Sequence, residues 1–120
     1  MHLTKSCALV GTLLLLAITG CGDSGVPDSK KLSDLSAAES KDACLEIAAD
    51  YPERTVTCGS TTITIGLTTA ECNTQEPAPA TCTATVGDAR DCSAAMYSMT
   101  DAELCADTPL PAACAKLTGC

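Results

Sequence analysis

Phenylalanine and tryptophan are absent from this 120-residue chain, and Tyr51 and Tyr97 are its only aromatic residues. Aromatic side chains supply much of the apolar area of an ordinary core, so any core here is assembled from smaller pieces. Histidine occurs once, at His2, which leaves the body of the chain without a Ser-His or Cys-His pair or an imidazole metal ligand. No two of the ten cysteines stand in a C-x-x-C pair; the closest are Cys114 and Cys120. That spacing argues against zinc and against thioredoxin-like exchange. Positive charge is scarce too: seven Lys and Arg face fifteen Asp and Glu, a net charge of −8. Such a surface does not seek nucleic acid or anionic lipid headgroups.

The N-terminus carries the most informative pattern. Lys5 precedes an apolar run from Cys7 to Ile18, too short for the roughly 20 residues that cross a bilayer but suited to the apolar region of a secretory signal. The run ends in Ile18-Thr19-Gly20-Cys21 and turns at once polar, as "GDSGVPDSKK". These four residues resemble a bacterial lipobox: an aliphatic residue, two small ones and a cysteine. Small side chains at Thr19 and Gly20 admit a peptidase to the bond before Cys21. The resemblance implies cleavage there, a thioether-linked diacylglycerol on the Cys21 thiol and an acyl chain on its freed amine. It therefore implies a membrane partner through the lipid and no other cofactor. Several acyl chains give stable attachment where one gives marginal binding. In the same resemblance, Asp directly after the lipidated cysteine favours inner-membrane retention. Here that position is Gly22, so the expected address is the outer membrane of a diderm bacterium.

Loss of residues 1–20 removes His2, Cys7 and Lys5, leaving six basic against fifteen acidic side chains, a charge of −9. Residues 21–33 read as a lipidated N-terminus and flexible tether, since 22–31 hold Gly, Pro, Ser, Asp and Lys with one aliphatic. Residues 34–120 read as one domain. From Leu32 onward there are only fourteen large aliphatic or Met side chains, too few for a domain without staples. So few also predict that no ligand-sized cavity is left once the core is filled. Eight cysteines remain for stapling: Cys44, Cys58, Cys72, Cys82, Cys92, Cys105, Cys114 and Cys120. An even count in an exported domain predicts four disulfides, with 105 pairings open.

The expected fold is small, disulfide-rich and mainly α, with about four short helices and one β-hairpin (α+β). Ser36 and Glu39 make a capping box for a helix to Tyr51, with Cys44, Ile47, Ala48 and Tyr51 along one face. Pro52 stops it. "RTVTCGSTTITIGL" alternates around Gly59-Ser60, which suits a two-residue hairpin turn. Thr68 with Glu71 and Thr100 with Glu103 repeat the capping box, and Thr85 caps a helix to about Ser98. Pro111 suits a first helical turn, with Gly119 ending the segment.

Chemically active candidates are few. Asp88 with Asp91, and Asp101 with Glu103 and Asp107, could pair as hydrolase carboxylates. Their places near helix starts fit dipole stabilisation better. "EPAPATC" (76–82) is a candidate inhibitory loop, because Pro77 and Pro79 pre-extend it. Beyond the lipobox, composition and loose cysteine spacing resemble the small cysteine-rich lipoproteins of diderm bacteria, a group of no assigned function. The expectation is a non-catalytic binding or structural module on the cell envelope whose partner is an envelope or extracellular protein. A protease inhibitor is the alternative, and a two-carboxylate hydrolase stands third.

Overall fold

The computed structural model describes residues 25–120. Cys21, Gly20 and the signal reading lie outside them. Four α-helices, one hairpin and two 3-10 segments follow one another as Leu32–Asp34 (3-10), α1 (Ala37–Asp50), β1 (Arg54–Cys58), β2 (Thr61–Ile65), α2 (Thr69–Thr74), α3 (Val86–Ser98), α4 (Asp101–Cys105) and Ala112–Gly119 (3-10). The chain is a disulfide-rich α+β domain. Among the described residues no helix is long and apolar enough to cross a membrane.

Every α-helix opens with a capping box. Ser36, Thr68, Thr85 and Thr100 each accept from the backbone N–H three residues on, and Glu39, Glu71, Asp88 and Glu103 accept from the cap N–H in return. Thr85–Asp88 does this with Asp in the third position, one methylene shorter than the usual Glu or Gln. Such caps matter most for α2 and α4, which are too short to be stable in isolation. The buried face of α1 is Ser40, Ala43, Cys44 and Ile47. It is the expected stripe set one helical turn earlier, and Ala48 and Tyr51 are only half-buried. The segment after Pro111 is 3-10 rather than α-helical, with Cys114 buried.

The hairpin is antiparallel, with Val56 opposite Ile63 and Cys58 opposite Thr61 across the Gly59-Ser60 turn. Gly59 takes a φ of 63°, a left-handed conformation that costs glycine little. Thr55, Thr57, Thr62 and Thr64 form the wet face, whereas Val56 and Ile65 are buried.

The largest departure from expectation concerns the segment before Leu35. Read as a flexible tether, its described part is instead a strap built into the fold. Val26 is only 7% exposed and packs with Leu35, Ala43 and Val86 in the core cluster. Leu32 N–H donates to Ala84 O, Val86 N–H to Lys30 O and Gly87 N–H to Asp28 O, each at 2.9 Å. A Cβ at Gly87 would lie 3.2 Å from Asp28 Cβ and O, so the strap passes close over a residue with no side chain. Polar composition concealed this, because one buried valine and three backbone bonds suffice to dock the strand-like stretch.

Candidate functional site

The eight domain cysteines form four disulfides. Cys44–Cys72 joins α1 to α2, Cys58–Cys105 joins β1 to α4, and Cys92–Cys114 joins α3 to the C-terminal 3-10 segment. Cys82–Cys120 ties the loop before α3 to the last residue of the chain. None of these links joins α1, α3 and the end of the hairpin to one another, yet the three border one open groove.

That groove has a volume of about 340 Å³ and is lined by Ile47 of α1 and Tyr51 just past its end, Ile65 at the end of β2 with Gly66 and Leu67 beyond it, and Met96 and Tyr97 of α3. It holds both aromatic residues. Their ring centroids are 5.7 Å apart at 55°, the tilted geometry favoured by ring quadrupoles. Neither tyrosine hydroxyl has a hydrogen-bond partner among the described residues. The Arg54 guanidinium lies over Tyr97 at 5.6 Å, and it also binds Asp101 at 3.0 Å and the carbonyl of Met99. Gly66 forms part of the wall with φ +94°; a Cβ there would approach Glu53 Cα and N to 2.9 Å. The expectation was that so small a core leaves no deep pocket, and this groove lies open at the surface rather than enclosed. Buried Ile47 and Ile65 form part of its lining, with half-buried Tyr51, Met96 and Tyr97 and exposed Leu67 around them.

The acidic candidates are dispersed, and none lines the groove. Asp88 accepts from Lys116 Nζ at 2.9 Å and from the Thr85 backbone, and these contacts hold its carboxyl down at about 2. Glu103 is lowered by the Thr100 backbone and hydroxyl. Asp101 pairs with Arg54, while Asp91 and Asp107 are exposed. Three of the five are thus occupied in caps or ion pairs. The 76–82 segment runs without regular structure, exposed except at Ala78 and the buried Cys82. It is pinned on one side by Cys72 and on the other by Cys82, each in a disulfide.

A second polar cluster escaped the sequence reading. Arg90 of α3 reaches Glu46 and Asp50 of α1, each at 3.2 Å, and Asp28 of the strap at 3.4 Å. Burial alone would lower its pKa, but the pull of Glu46 and Asp28 raises it. Its partners stand 40 to 62 residues away, so no local pattern announces them. No protein-family model matches the chain, nor does any curated protein or solved structure.

Proposed function

We propose that this chain is a lipid-anchored, exported module of the bacterial envelope that acts by binding, without catalysis, on an envelope protein. The observation that carries the reading is the Tyr51–Tyr97 groove. Ile47, Ile65, Leu67 and Met96 fit an apolar side chain of such a partner. The two free hydroxyls fit the backbone polar groups that flank it, as aromatic residues do at interface hot spots. Lipobox and disulfides support export and anchoring at Cys21. Cross-linking and capture from envelopes tests the pair of claims. The native protein should retain one envelope protein that Tyr97→Ala loses, and Cys21→Ser should leave the membrane fraction. Capture unaffected by Tyr97→Ala overturns the groove's role, and membrane retention of Cys21→Ser overturns the anchor.

One observation favours a second reading, protease inhibition. An exposed proline-bearing loop held at both ends by disulfides is already rigid before it meets a protease, which lowers the ordering cost of binding. Capture of a protease, with binding lost in Pro77→Gly and kept in Tyr97→Ala, would support this reading over the first.

A further inference from the structure

The strap and its distance from the anchor define how the domain stands on the membrane. We infer that the strap end rests on the headgroup layer of the bilayer holding the lipid, with the hairpin end turned to water; this rests on the lipid-anchor reading above. A tether reaching residue 33 would give about 40 Å of extended reach. The fold instead begins at the buried Val26, held by Leu35, Ala43 and Val86. The four residue steps from Cys21 to Gly25 span at most about 14 Å even fully extended. About 6 Å of that lies within the headgroup region of one leaflet. The remaining clearance is smaller than a helix diameter. The strap cannot lengthen the tether by peeling away without losing Val26 burial, its backbone bonds to Ala84, Val86 and Gly87, and the Asp28–Arg90 pair.

Charge is distributed to match. The hairpin half, residues 51–82 and 99–110, has six acidic side chains and Arg54 as its one cation. The rest of the described chain holds Lys30, Lys31, Lys41, Arg90 and Lys116 against eight acidic side chains, so it carries −3 against −5 for the hairpin half. Lys30 and Lys31 are on the strap itself, and Lys31 is exposed with no ion-pair partner among the described residues. An anionic leaflet therefore repels the hairpin half more than the strap half. The short anchor is what holds a net acidic protein down, and the strap, with Lys30 and Lys31 against Asp28 and Asp34, is the stretch nearest neutrality that it brings to the lipid. The groove then clears the surface: α3 starts beside Asp28, and Met96 and Tyr97 come about 14 Å further along its axis.

Absence of tryptophan makes the arrangement measurable. Ser29→Trp on the strap and Thr62→Trp on the wet face of the hairpin each give a single donor at an exposed site. Energy transfer is read to a dansyl headgroup in phosphatidylcholine vesicles containing phosphatidylglycerol, with the protein purified from membranes. Transfer from position 29 should exceed that from position 62 several-fold. Insertion of about a dozen Gly and Ser residues after Ser24 should bring the two close together, since a flexible linker adds roughly 20 Å of mean reach. Equal transfer from both positions without the insertion overturns the inference, as does a position-29 signal indifferent to it. Mass spectrometry of the same protein decides the anchor separately. Should Cys21 prove unacylated, the anchor reading fails, and coupling its thiol to a maleimide phospholipid still tests the geometry with the same two outcomes.

Discussion

The strap half of the molecule, with α1, α3 and the C-terminal segment, contrasts with the hairpin half in how it is held. In the strap half Val26, Leu35, Ala43, Ala84 and Val86 are buried, Arg90 bridges elements distant in sequence, and Lys30 ties the strap to Glu39 of α1. In the hairpin half only Val56, Ile65, Cys72 and Cys82 are buried, α4 buries nothing, and α2 buries its cysteine alone. There a disulfide stands where an apolar side chain would otherwise be. Each half supplies four of the eight paired cysteines, so the difference teaches that covalent links become the main support, element by element, where side chains are too few to make a second core.

The strongest way to break that comparison is to remove Cys58–Cys105. The bond closes a separation of 47 residues, so its loss in Cys58→Ser/Cys105→Ser costs about 4 kcal/mol in the chain-entropy account. Hydrogen exchange should show the hairpin and α4 losing protection, while Leu32, Val86 and Gly87 in the strap half keep theirs. Equal loss at both sets of amides would mean that the halves are one cooperative unit.

Each half also contains one close backbone approach at a glycine, which sharpens the comparison at smaller scale. Gly66→Ala forces a side chain into φ +94° and against Glu53 at 2.9 Å, a cost of about 3 kcal/mol. Gly87→Ala meets Asp28 at 3.2 Å without a positive φ, and the strap yields for about 1 kcal/mol. Denaturant midpoints of the two variants should fall in that order. Removing the Arg90 bridge comes between them. Arg90→Met leaves Glu46, whose Oε1 already lacks a partner, without its remaining ion pair, and destabilises by about 2 kcal/mol.

The hairpin half was the more legible in sequence. Its Gly59-Ser60 turn, the Thr alternation and the Thr68 and Thr100 caps are local patterns, and each produced the element expected. The strap was not legible, because its docking depends on Ala84, Val86 and Gly87, more than fifty residues away. Val26 stands in a stretch whose composition reads as linker. The cysteines announced four bridges, but nothing in their spacing selected Cys44 with Cys72 over other partners. Of the site, the two tyrosines were visible as a scarcity and the groove they share was not. It exists only once α1 and α3 lie side by side.

The smallest effect separates the halves by acid, since ion pairs titrate and five of the six among the described residues lie in the strap half. Glu39 is held at about 2, first by Lys30 and then by the Ser36 backbone, and Asp88 at about 2, first by Lys116 and then by the Thr85 backbone. Glu71 and Glu103 in the hairpin half are lowered by their caps alone. A carboxylate whose folded value lies below its unfolded value stabilises the fold above the unfolded value, roughly 4 here, and ceases to as pH falls through the folded one. Stability should therefore be level from pH 7 to about 5 and decline from there to about 2, mostly through the strap half. Lys116 is raised by Asp88, so its side of the pair is lost only in strong alkali and does not blur the acid limb. Glu39→Gln is the informative variant: Gln in the third helical position still completes a capping box, but it does not titrate. Thermal midpoints at pH 7 and pH 3 should differ less for Glu39→Gln than for the parent, with Glu71→Gln narrowing the gap less. A larger narrowing from Glu71→Gln would place the acid-sensitive contacts in the hairpin half, and the division of the molecule into a half held by burial and ion pairs and a half with little of either would fail.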